Sequence, residues 1–226
     1  MSLMPGGSEA PRSTSDSEFA TAYSYLQQVV GVIAVTLPLV LIIGNRLFGG
    51  DLEGSISAYY YTHMGSYFVG SLFALGVFFM SYQHRPLPNY VWDNRFANIA
   101  SLMAVGVALF PIASNPGDAS AGSKAVAVVH LACATTLFAL LGVFALVFFT
   151  KTNDPNLMTE RKHQRNLVYR VCGSTIFAAI ALIVVTEIVR PPRHWHAFLF
   201  LETIMVVAFG VSWLIKGGFL NLLADP

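Results

Sequence analysis

The side chains able to do chemistry in this sequence are four histidines, His63, His130, His194 and His196, and two glutamates, Glu187 and Glu202. Each lies in or beside an apolar run. Neutral imidazoles and a carboxylate are the donor set of a zinc centre that keeps one position open for a water nucleophile. On that reading His63, His130, Glu202 and His196 are the ligands of a membrane-embedded, metal-dependent lipid hydrolase. Spacing argues against it: His194 and His196 are not an i, i+4 pair, and there is no HExxH run or Cys/His cluster. The bland alternative is a buried polar network in which Glu202 accepts hydrogen bonds from His130, a tyrosine or Ser57. Such a network would latch the segment SISAYYYTHM (55–64) onto the rest of the chain, with Ser57, Tyr60, His63, His130 and Glu202 lining an outward polar pocket. Tyrosines there give a wall that is apolar yet hydrogen-bonding, suited to a lipid headgroup or other amphiphile held without catalysis and without a cofactor. A third reading, proton-coupled transport through a His130–Glu202 relay, conflicts with their position near one face instead of the midplane.

These residues need elements to hold them, and composition says which. Of 226 residues 55% are hydrophobic and 11% charged, with mean hydropathy +0.60, too apolar for a soluble domain of this size. The net charge of +1 offers no basic stripe for nucleic acid. Six stretches approach the roughly 20 apolar residues that a crossing needs: 25–48, 64–83, 95–114, 125–150, 167–189 and 197–216. Pro38 and Pro111 interrupt two of them. The expected fold is all-α, a six-helix transmembrane bundle over 24–226, behind a disordered, uncleaved polar tail, 1–23. Arg12, Arg85, Arg95, Lys151, Arg161, Lys162, Arg165, Arg170 and Lys216 fall on one side of this layout, and Arg46, Lys124, Arg190 and Arg193 on the other. That bias places both termini in the cytoplasm, with the plasma (inner) membrane as the location. His63, His130 and Glu202 then gather at the outer face.

Other features have plainer roles. Ser66, Gly70 and Ala74 on the second span, and Ala97, Ser101, Ala100, Ala104 and Ala108 on the third, predict close helix packing, within the bundle or between copies in a homo-oligomer. Glu187 is expected to pair with Arg190 or Arg193, and His194 and His196 to meet headgroups beside Trp195. Trp92, Trp195 and Trp213 fit interfacial belts. Arg161, Lys162, Arg165 and Arg170 suit anionic inner-leaflet lipids, and Arg170 is placed to pair with Asp93 or to snorkel. Cys133 and Cys172 lie at different depths, so no disulfide is expected.

Five segments together resemble a family of uncharacterised, mainly prokaryotic, multi-pass membrane proteins. They are the hook and the helix after it, SISAYYYTHMGSYFVGSLFALGVF; VALFP, 107–111; His130 with FALLGVFALVFFT; RNLVYRVCG, 165–173; and LETIMVVAFGVSWLIKGG, 201–218. The hook is also similar to the Ile-Ser outer-loop signature of six-helix damage-regulated autophagy modulators and GPI-anchor remodelling factors. A more distant likeness is to alkaline ceramidase-like hydrolases, which gather Ser, Asp and His around zinc. Here Glu202 stands where their C-terminal histidines belong, and Asp93 falls on the other face. The nearer resemblance implies a multi-pass membrane fold and carries no activity with it.

Overall fold

A computed structural model describes residues 14–82, 91–113, 120–152, 159–189, 192 and 195–219. The helices are α1 (Thr14–Leu47), α2 (Gly65–Ser81), α3 (Val91–Leu109), α4 (Ala121–Val143), α5 (Glu160–Val189) and α6 (Ala197–Lys216). A 3₁₀ turn, Ser57–Tyr61, lies between α1 and α2, and a π turn, Phe144–Phe148, extends α4. The described residues contain no strand. Consecutive helices pack in order, and α6 returns to lie along α1, closing the ring.

Four helices are long and apolar enough to cross a membrane: Thr21–Leu47, Ala121–Phe148, Glu160–Val189 and Ala197–Lys216. The apolar α2 has 17 residues, about 25 Å at 1.5 Å per residue. Helix α3 carries Asp93 and Arg95 in its opening turns. Two boundaries differ from expectation. Helix α1 begins at Thr14, inside the stretch expected to be a disordered tail. Pro38 sits within α1, whereas α3 stops at Leu109, two residues before Pro111. Proline disfavours helical backbone in the residue before it, so here it terminates the helix instead of interrupting it.

Small residues do bring helices together, though not all those expected. Ala97, Ala100, Ser101, Ala104 and Ala108 are buried on α3. On α2 the stripe of Ser66 and Gly70 faces outward, Ala74 is half-buried, and a Cβ at Gly70 would touch nothing within 4 Å. Gly76 is the close point on that helix, where a Cβ would come within 3.0 Å of Val105. The tightest approach joins α1 to α6. A Cβ at Gly31 would lie 2.9 Å from the Gly210 carbonyl oxygen, and one at Gly210 would lie 2.9 Å from that of Gly31.

The end of the bundle away from the hook is aromatic. Trp213 is 2% exposed, inside a cluster of Phe79, Tyr82, Phe144, Phe149 and Phe209, and so belongs to the core and not to an interfacial belt; Trp92 and Trp195 are exposed. Asp93, 1% exposed, pairs with Lys151, while Arg170 is exposed. Lys162 turns inward, its Nζ donating to the Phe149 carbonyl at 3.1 Å, whereas Arg161 is exposed. Arg165 is half-buried, and Cys133 and Cys172 are buried free thiols.

Candidate functional site

The hook is shaped by what flanks it. Gly49, with φ +78°, supplies the left-handed residue that ends α1, and the Asn45 side chain donates to the Asp51 carbonyl at 2.8 Å, turning the chain back at once. At the far end Gly65 admits the turn into α2, since a Cβ there would sit 2.3 Å from the Tyr60 carbonyl oxygen. Between these, residues 53–56 lie on the first turns of α6. The Leu199 amide, otherwise without an intrahelical acceptor, donates to the Gly54 carbonyl at 3.1 Å. His196, in left-handed backbone with φ 47°, donates from Nδ1 to the Glu53 carbonyl at 3.0 Å. In return the Glu202 carboxylate accepts the Ile56 amide at 2.6 Å, at the start of the 3₁₀ turn. Desolvation raises the Glu53 carboxyl above its ordinary value, nearby Asp51 adds to this, and His196 opposes it.

His130 holds the hook from α4, and Pro111 makes that possible. With α3 ended at Leu109, the Phe110 carbonyl has no helical donor to receive, and His130 Nδ1 lies 2.6 Å from it. A carbonyl only accepts, so Nδ1 carries the proton, and in the neutral ring Nε2 is then the acceptor. It takes the Ser57 hydroxyl at 3.0 Å. The Tyr61 hydroxyl donates to a second released carbonyl, Ile112, at 2.6 Å. His130 and Ser57 are 3% and 8% exposed.

Ser57 and Glu202 also line a cavity of ≈ 50 Å³ in the bundle, walled by residues such as Leu37, Phe68, Leu75, Ala104, Leu137 and Phe209. Among its described lining residues only Ser57 and Glu202 are polar.

Of the residues expected at one site, the structure thus brings together Ser57, His130 and Glu202, through the hook and not through a direct His130–Glu202 bond. Tyr60 and His63 do not join them. Tyr60 is half-buried, edge-on to Tyr61, and the inward tyrosine is Tyr59, fully buried. His63 is exposed and stacks on Phe48, ring centroids 5.6 Å apart. With His196 held by Glu53, the four candidate zinc ligands are dispersed, and among the described residues no three His, Cys, Asp or Glu side chains are grouped to hold a metal ion. Glu187 is exposed; its proposed partners Arg190 and Arg193, and His194, lie outside the described residues. Sequence reasoning missed the Phe110 and Ile112 carbonyls, whose only signal is Pro111. Against family models, curated proteins and solved structures, nothing matches the chain.

Proposed function

We propose that this is a six-span membrane protein with both termini cytoplasmic, and that its outer end binds one amphiphile. The polar head lies by Ser57 and Glu202, and the first carbons of the alkyl chain enter the cavity. The observation that carries the reading is the cavity: apolar walls whose only two polar lining residues, among those described, are Ser57 and Glu202 match the join between a polar head and its first carbons. The excess of Lys and Arg at the opposite end supports the orientation. Arg161, Arg165 and Arg170 there suit an anionic leaflet, and the outward-facing Ser66 and Gly70 suit contact with a second copy.

Mass spectrometry of lipids extracted from detergent-purified protein tests it. The wild type should retain one amphiphile per chain, and Ala104→Phe, which fills the cavity, should lower retention about tenfold, roughly 1.4 kcal/mol. No retained amphiphile in a folded wild type, or equal retention by the filled variant, overturns the reading.

A further inference from the structure

The Ser57–His130 pair has more order than a latch needs. A hydroxyl becomes a nucleophile when a base within about 2.6–3.2 Å can take its proton and a third group fixes that base in the right tautomer. Both conditions hold: Ser57 Oγ lies 3.0 Å from His130 Nε2, and His130 Nδ1 is committed to the Phe110 carbonyl at 2.6 Å. Ser57 is nearly closed to solvent and is among the residues lining the apolar cavity, so the molecule able to approach it is one already seated there. Hydrocarbon walls would keep competing water away until the acyl group has transferred.

The geometry points to Ser57 as an acyl-accepting nucleophile, with His130 as its base, acting on a carboxylic ester whose first acyl carbons enter the apolar cavity. Ser57 Oγ bonds to the ester carbonyl carbon and its proton passes to His130 Nε2. The ester C–O bond breaks and the leaving alcohol takes that proton. Water then adds to the acyl-serine, releasing the carboxylic acid and restoring the Ser57 hydroxyl. No electron is gained or lost, and no metal is required by the residues named.

This deepens the amphiphile reading and rests on it. The test uses the full chain in detergent with a long-chain alkyl fluorophosphonate, followed by intact-mass measurement and peptide mapping. The expected result is one adduct at Ser57, none in Ser57→Ala, and labelling at least about 100-fold slower in His130→Gln, which keeps a donor and an acceptor but not the base. Folding of both variants is checked by thermal unfolding. His130→Asn, in which a shorter amide can still donate to Phe110, serves if the glutamine variant does not fold. A folded wild type that takes no label, labels elsewhere, or labels equally fast in the folded His130 variant overturns the nucleophile. Retained amphiphile without an adduct removes the nucleophile and leaves the binding reading standing. An adduct at Ser57 with no retained amphiphile does the reverse.

Discussion

Glu202 and Glu53 are two carboxylates on one small loop junction with opposite consequences. Glu202 satisfies the Ile56 amide, so Glu202→Ala leaves a buried donor unmet, at a cost of about 1–3 kcal/mol. Glu202→Gln, which keeps an accepting oxygen, should cost less. Thermal unfolding in detergent ranks the two, and equal stability of Glu202→Ala and wild type would remove the latch. Glu53 is the reverse case. Its carboxyl is raised in the folded protein, so the folded state binds a proton more readily than the unfolded one, and its charged form subtracts stability above the folded value. Glu53→Gln should therefore melt higher than wild type at neutral pH, and the gap should close as pH falls below the ordinary glutamate value of 4.5. A gap that widened on acidification would reverse the assignment. His130 and Glu202 are legible in the sequence because ionisable groups inside long apolar runs need partners. The choice of Tyr59 over Tyr60 is not, because consecutive residues of a 3₁₀ turn point about 120° apart and nothing local sets the phase.

At the scale of elements, six helices follow from apolar runs, and their ends depend on short-range signals of unequal clarity. Pro111 could be read as a kink or as a stop, and only the second releases the carbonyls that His130 and Tyr61 capture. The π turn at Phe144–Phe148 has no local signature; it arises where the aromatic cluster around Trp213 is packed. Spacing of small residues marks candidate contacts without saying which face turns inward, and so the stripe on α2 predicts a contact that Gly31 and Gly210 make elsewhere. This contrast is measurable. Gly31→Leu or Gly210→Val should destabilise by about 1–3 kcal/mol through overpacking, while Gly70→Leu should stay within about 0.5 kcal/mol. A reversed order in thermal unfolding would mean that α2, not α1, carries the tight seam.

For the whole molecule, closure of the ring joins α1 to α6, helices far apart in sequence, and the hook is fastened at the start of α6. Its partners come late: Ile112 follows Tyr61 by 51 residues, His130 follows Ser57 by 73, and Glu202 follows Ile56 by 146. During synthesis the hook is made early and must wait for nearly everything that holds it. A membrane-inserted nascent chain stopped after Val189 should have its hook cut by added protease, whereas the released full-length chain should resist. Protection of the hook before α6 is made would mean that another element holds it. The order of translation thus makes assembly of this site a report on the arrival of α6: the hook is secured when that helix reaches it.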